Sequence, residues 1–537
     1  MSDYLKGHGP RATQTPQSQP LPGSNQVANN AGGFAWEVTP WTRLDRFLVL
    51  GTEGGSYYVA ERKLTAANIS GIEACIAEDG LRVVKRIVEI STAGRAPKND
   101  PALFGLALCA SWGDQQTRQA ALAALPKVAR IGTHLFHFLA YAQEFRGWGR
   151  SLRKGVAAWY QDLPAAKLAY QAVKYQQRDG WSHRDALRLA HPKTVDGQRN
   201  ALYHWIVKGW PDVGTEPHPD EVLGLIWAFE RAKRATKAQE IVELITDYDL
   251  PREAIPTLFL HEKAVWAALL EKMPLEAMLR NLATMTRIEL LTPGSKAEKQ
   301  ICERLSNQDL LRRARIHPIK VLAALLTYQS GHGVRGSGTW SPLPKVLDAL
   351  DAAFYRSFGN VEPSGKRLLL AVDVSGSMNW GTIAGTPGLT PRTGAAALAL
   401  ITAATEKDAE ITAFSEKMIP LKISPRQRLD AVIKTMDKLP FGGTDCALPM
   451  IYAQEKNLNV DGFIVLTDSE TWFGQIHPAQ ALQQYREKKQ IAAKFVIVGM
   501  QANNFSIADP EDAGMLDLVG FDTNTPQLIS DFAAGRI

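Results

Sequence analysis

An aspartate and two serines at alternate positions, Asp373, Ser375 and Ser377, stand at the end of the run LLLAVDVSGSMN, residues 368–379. These side chains offer only oxygen donors, which suits a hard divalent cation such as Mg²⁺, or Mn²⁺. Mg²⁺ takes its oxygens octahedrally at about 2.0–2.1 Å, so one carboxylate and two hydroxyls fill only part of its shell. Two later stretches supply candidates for the remainder: Thr444, after the glycine pair of FGGTDCALPM, and Asp468, closing GFIVLTD. DxSxS, then Gly-Gly-Thr, then an aspartate ending an apolar run, in that order, is a specific constellation. Such a cation would accept one further ligand, a partner's carboxylate. The competing reading makes Asp373 and Ser375 the cap of the next helix, and it leaves Thr444 and Asp468 unexplained.

Four kinds of catalysis are disfavoured by the sequence. A haloacid-dehalogenase-type phosphatase also runs an apolar strand into an aspartate, but needs a second acid two residues on, where this chain has Ser375. VSGSM is not the GxSxG elbow of a serine hydrolase. Neither a Walker loop nor a zinc motif is present. The chain is therefore read as a binding protein and not an enzyme.

A second group of residues suits polyanions. Between Arg130 and Arg199 there are 12 Lys+Arg against 5 Asp+Glu, and Arg150 and Arg153 open the densest part. Within PAAKLAYQAVKYQQRDGWSH, the residues Lys167, Gln171, Lys174 and Arg178 recur at i, i+4, i+7 and i+11, which predicts one polar stripe on a helix ended by Gly180. Ser182, with Asp185 three residues on, predicts a capping box opening a second helix, whose Arg184, Arg188 and His191 share a face. Tyr175 and Trp181 lie close in sequence. Basic stripes with aromatics among them suit a phosphate backbone and unpaired, stackable bases. The alternative is a solvated helix face over core aromatics.

What must position these groups is legible from periodicity. The 537 residues exceed one hydrophobic core, so two large domains are expected. Residues 361–537 carry a net charge of −4 and the rest +10, an uneven split that points the first part toward a polyanion. That first part repeats apolar residues at three and four. Val265, Trp266, Leu269, Leu270 and Met273 make one stripe, Pro274 punctuates, and Leu275, Met278, Leu279 and Leu282 make the next. Short helices of this kind bury their stripes by stacking in antiparallel pairs, as in a HEAT-like solenoid. From about Gly365, RLLLAV, EITAF, GFIVLT and KFVIVGM predict strands alternating with helices TGAAALALITAATEK and PAQALQQYREKK, hence a parallel sheet covered on both faces. Ligands of such sheets sit at the carboxyl ends of the strands, where Asp373 and Asp468 fall. Residues 1–33, rich in Pro, Gln, Asn, Gly and Ser, are expected to be a disordered tail. Four scattered cysteines with no CxxC pair, and no apolar run of roughly 20 residues, predict a reduced, cytoplasmic protein without a membrane span.

Residues 365–537 resemble a von Willebrand factor A domain with its metal-ion-dependent adhesion site. That resemblance implies metal-binding roles for Ser375, Ser377 and Thr444, and direct or water-mediated ones for Asp373 and Asp468. The Gly/Thr/Pro-rich NWGTIAGTPGLTPRTG that follows the motif departs from the usual length. Over a wider span, LGTEGGSYYV, LPKVARIGTHLFHFL, WGRSLRKGVAAWY, VKYQQRDGWSHRDALRLAHPK, RARIHPIKVLAALLTYQSGHG and YRSFGNVEPSGKRLLLAVDVSGSMN resemble the Ro 60 kDa autoantigen family, the TROVE-module proteins. The resemblance runs from about Phe34 to the C-terminus. It implies a multidomain chain, with an all-α, HEAT-like helical-repeat ring at 34–360 followed by an α/β, Rossmann-like A domain at 361–537. It also implies a monomeric ring that binds small noncoding Y RNA on its outer surface and single-stranded 3′ ends of misfolded or unprocessed RNA in its hole, with no DNA and no membrane. Lys174, Arg178 and His191 match the family's RNA-contacting Lys, Arg and His. A bacterial member would work beside an exoribonuclease, polynucleotide phosphorylase. The competing functional class is an adhesion-like scaffold in which the A domain's cation site is the main site and the basic helices are only surface.

Overall fold

The computed structural model describes residues 14–29, 31–37, 39–50, 69–93, 98–194, 196–210, 214, 218–314, 316–333, 337–379, 383, 389–440, 442–468, 471–500, 505–519 and 525–535. The chain divides into two compact units: residues 64–314 with 327–352, and residues 1–63 with 315–326 and 353–537.

The first unit is helical, and the stripes read from sequence face its interior. Helix Lys263–Lys272 buries Val265, Trp266, Leu269 and Leu270, with Met273 buried just past its end. Pro274 then opens Leu275–Arg287, which buries Leu275, Met278, Leu279 and Leu282. Early in the unit, helices pack two apart in sequence, which is how a two-layered solenoid is built. Ile69–Ala93, Gln115–Val128, Arg150–Asp162 and His183–Ala190 contact one another in turn, while Asp100–Trp112 lies against Gly132–Phe145. Asp100–Trp112 is apolar on almost every side and correspondingly sunk: Pro101 through Cys109 are all buried.

The second unit holds a six-stranded sheet. Its strands run in the order Met515–Val519, Lys494–Gly499, Gly462–Thr467, Leu368–Asp373, Ala409–Phe414, Met418–Pro420. All neighbours are parallel except the last pair, where Met418–Pro420 runs antiparallel along the edge. Leu368–Asp373 and Gly462–Thr467 are buried at every position, as strands covered on both faces must be. From Leu368–Asp373 the chain builds outward to one side, then returns to the other at Gly462–Thr467. The strand order therefore reverses between these two, and the crevice at their carboxyl ends is where such sheets take ligands. The four strands and two helices expected from sequence are present. The two outer strands, short or interrupted by Asp517, were not anticipated.

The expected tail, residues 1–33, is corrected over its described part. Gln26–Ala28 pairs antiparallel with Phe34–Glu37, which pairs in turn with Phe505–Ser506. Gln17, Gln26 and Asn29 are buried among polar partners in residues 445–477. Composition misled because polar side chains, not apolar ones, hold this segment, while Pro16, Pro20 and Pro22 lower the entropy lost on ordering it. Residues 1–13 lie outside the described residues. The expected boundary at 360 moves as well: the described parts of 34–63, together with 316–326 and 353–360, group with the sheet. Asn360 Nδ2 donates to Ile316 O (2.8 Å) and Leu429 N to the Tyr355 hydroxyl (2.9 Å), joining these pieces.

Candidate functional sites

Asp373 ends its strand fully buried. Its Oδ1 accepts from Ser375 N at 2.7 Å and its Oδ2 from the Thr467 hydroxyl at 2.8 Å. Ser375, Thr444 and Asp468 are 5%, 4% and 6% exposed, so the loops withdraw all four from bulk water. Burial, and then the charge of Asp468, push the Asp373 carboxyl above the usual carboxylate range. Ser377 lies in the short Gly376–Asn379 turn, and its side chain is outside the described residues. The capping alternative fails for the α-helix that follows: Pro391–Thr405 is capped by Thr390, which accepts from Thr393 N.

The loops of this site are braced against one another. Arg392, buried, donates to Val374 O (3.2 Å) and Ser375 O (3.3 Å) and reaches Asp437 (3.1 Å). The Thr444 carbonyl accepts from the backbone N–H groups of Trp472 and Phe473, each at 3.1 Å. Gly443 is required here, since a Cβ on it would stand 2.9 Å from the Phe473 side chain. Sequence reading missed Arg392; its place at the start of a helix, one residue after a helical proline, carried no signal of a role in the motif loop. Two carboxylates at adjacent strand ends, with the buried hydroxyl-bearing residues Ser375 and Thr444 on the loops beside them, offer the oxygen donors that a hard cation takes. Among the described residues no group of three or more His, Cys, Asp or Glu side chains could hold a metal ion, so hydroxyls would have to complete any shell around Asp373 and Asp468.

The basic residues are arranged differently from the stripe expected. The helix stops at Lys174, and Gln171 is buried, its Oε1 accepting from Gly132 N at 2.8 Å. Arg178 lies instead on a hairpin, Gln177–Arg178 against Trp181–Ser182. Asp179 and Gly180 at its tip have φ of 51° and 78°, the Asp-Gly turn that matches strand twist. That dipeptide was the overlooked signal. Asp179 is tied to His137 Nδ1, and His137 Nε2 faces Asp100 Oδ1 at 3.4 Å. The capping box is present as expected: Ser182 and Asp185 exchange hydrogen bonds at the start of His183–Ala190.

Arg184 and Arg188 are exposed on that helix, and His191 is exposed just beyond it as the left-handed C-cap residue. Arg150, Arg153, Lys167 and Arg178 are exposed too, and Lys174 is half-buried. The Lys174 ammonium lies 5.4 Å from the ring centroids of both Tyr170 and Tyr175. Trp181 stacks on Trp148, which the sequence did not single out (5.9 Å, 23°). Not every cation of the stretch is on the surface. Arg199 is buried, donating to Tyr160 O and Leu163 O, while Arg130, though exposed, spends its guanidinium on the Ser91 carbonyl and hydroxyl. His183 anchors the second helix from beneath, fully buried and paired with the Tyr160 hydroxyl at 2.7 Å, and burial pulls its pKa down to about 4.

Residues 27–327 match the family model described as the TROVE domain, and residues 367–533 the one described as the Ro60 vWA domain. The chain is 45% identical over 539 residues to a protein of Deinococcus radiodurans named RNA-binding protein RO60, with both chains covered in full. The chain belongs to the Ro60 family. A Caenorhabditis elegans Ro60 relative, also named RNA-binding protein RO60, is 38% identical over 95% of this chain and 90% of its own. The crystal structure of the Deinococcus radiodurans RO (RSR) protein superposes with a TM-score of 0.77 at 45% identity, covering 93% of this chain and all of that one. The helical region and the A domain expected from sequence are thus those of the Ro60 family.

Proposed function

We propose that this chain binds RNA through the exposed cations around the Gln177–Ser182 hairpin, holding small noncoding Y RNA and taking single-stranded 3′ ends of misfolded RNA. The observation that carries the reading is the grouping of exposed Arg178, Arg184, Arg188 and His191 with Lys174 between two tyrosines. Guanidinium and ammonium groups meet phosphates, and tyrosine and tryptophan faces meet unpaired bases. The names of the two relatives support the same reading. The function is binding without catalysis, with an exoribonuclease such as polynucleotide phosphorylase as the partner that acts on the RNA. Among the described residues no helix is long and apolar enough to cross a membrane. The site of action in this reading is the cytoplasm, where four scattered cysteines with no CxxC pair stay reduced.

In the A domain, Asp373, Ser375, Thr444 and Asp468, with Ser377, would hold Mg²⁺ or Mn²⁺. Bound there, the cation supplies a positive point that a partner's carboxylate can complete. Arg392 and the Thr444 carbonyl hold the loops that present these ligands. The RNA reading is tested by mobility-shift titration of a small structured RNA with the Lys174→Ala/Arg178→Ala chain. Binding as tight as wild type, at unchanged salt dependence, would move the RNA to another surface.

A further inference from the structure

We propose that residues 14–29 form a strap that holds the cation site in its binding geometry, with Gln17 as the positioning residue. This rests on the cation-site reading given above.

Thr444 and Asp468 arrive on different loops, and a cation needs both at fixed spacing. Gln17 sits between those loops, fully buried. Its Nε2 donates to Asp445 Oδ1 at 2.6 Å and to Ile476 O at 2.9 Å, and its Oε1 accepts from the Thr471 hydroxyl. Its backbone N donates to Gly474 O (3.0 Å), and its carbonyl accepts from Phe34 N (2.9 Å). One amide thus joins the residue after Thr444 to two residues of the loop that follows Asp468. The same loops are tied where Cys446 N donates to the Thr471 hydroxyl at 3.2 Å.

The rest of the strap clasps the second loop. Asn29 Nδ2 donates to Thr471 O at 2.7 Å, and Gln19 O and the Gln26 amide meet the two ring nitrogens of His477 at 2.8 and 3.4 Å. Two glycines make room. A Cβ on Gly474 would stand 2.6 Å from Gln17 Nε2 and 2.7 Å from the Asp445 carboxylate, and one on Gly33 would stand 2.2 Å from Thr471 O. Backbone, glycine placement and side-chain amides all fit the strap to the loops that carry the ligands.

If the strap sets the spacing of Thr444 and Asp468, cation binding and strap docking stabilise each other, because coupling between two binding events is reciprocal. The test is Mn²⁺ titration of the full chain by calorimetry, with Asp373→Ala as the control for the site. Gln17→Leu keeps the bulk of the side chain and removes its three hydrogen bonds. It is expected to weaken Mn²⁺ roughly tenfold or more. A chain lacking residues 2–22 should show the same loss, and a synthetic peptide of residues 14–22 should restore affinity. A third measurement needs no variant: saturating Mn²⁺ should slow amide exchange at Gln17 and Phe34 in the wild-type chain. Mn²⁺ binding unaltered by Gln17→Leu and by the deletion, or no change in strap exchange, would overturn the strap and leave the site. Absence of Mn²⁺ binding by the wild type would overturn both.

Discussion

The two candidate sites spend their charges in opposite ways. Around the hairpin, cations are exposed and spread over a helix end, a turn and a second helix, each able to act almost alone. In the A domain, Asp373 and Asp468 are buried, with hydroxyls and backbone groups fixed around them. Exposed charges are screened and individually weak, so a surface of that kind gains affinity by number and tolerates the loss of any one. Buried charges need every partner, so a site of that kind works as a whole or fails. A polyanion of variable sequence suits the first design, and a single small ion the second.

That contrast breaks most sharply at Asp373. Asp373→Ala should abolish measurable Mg²⁺ or Mn²⁺ binding, a loss of at least about 100-fold, while RNA affinity is unchanged; titration calorimetry beside a mobility-shift assay reads both. Arg392→Leu should destabilise the A domain by about 2–4 kcal/mol, since two carbonyls of the motif loop and Asp437 lose a buried partner. Urea unfolding followed by a probe in that unit measures it. Lys174→Ala/Arg178→Ala should weaken RNA more gently, by roughly tenfold, and lower the slope of log K against log[salt] by about 0.7–0.9 for each phosphate contact removed.

Smaller still is the pH effect that two buried histidines of the helical unit contribute. Burial holds His134 and His183 down to about 4, against 6.5 for free imidazole. They stay neutral in the folded chain where the unfolded chain takes up protons. Their contribution to stability is therefore complete above pH 6.5 and lost as pH falls toward 4. Denaturant titrations at pH 7 and 5 should show that loss, and a flat profile would mean both rings open to water on protonation. Smallest of all, Lys407→Ala, Lys417→Ala and Lys434→Ala, exposed within the acidic stretch 361–537, should leave RNA binding where it was.

The sheet, and the placement of Asp373 and Asp468 at its strand ends, were legible because their signals are local. An apolar strand ending in an acid, repeated at Asp373 and Asp468, already marks two strand ends of a parallel sheet. The basic region was legible in composition but not in geometry. Helical periodicity continues through Lys174 to Arg178 on paper, and only the Asp179–Gly180 turn shows that the chain has changed conformation. Gln171 matched the stripe by spacing, yet its amide is committed to Gly132 N, a partner 39 residues away. The N-terminal segment was illegible for a different reason. Its order depends on carbonyls, hydroxyls and a carboxylate more than 400 residues distant, and no window of sequence contains both halves.

That distance has a meaning on the ribosome. Gln17 leaves the exit tunnel 428 residues before Asp445, a wait of roughly 20–90 s at about 5–20 residues per second. The helical unit is synthesised whole in the interval, while the Gln17 side chain lacks the partners that will bury it. Gln17 can therefore dock only on a chain that has been made through residue 476. A chain cut short before that residue leaves the Gln17 amide without its buried partners, so an early segment reports whether a distant one has been made.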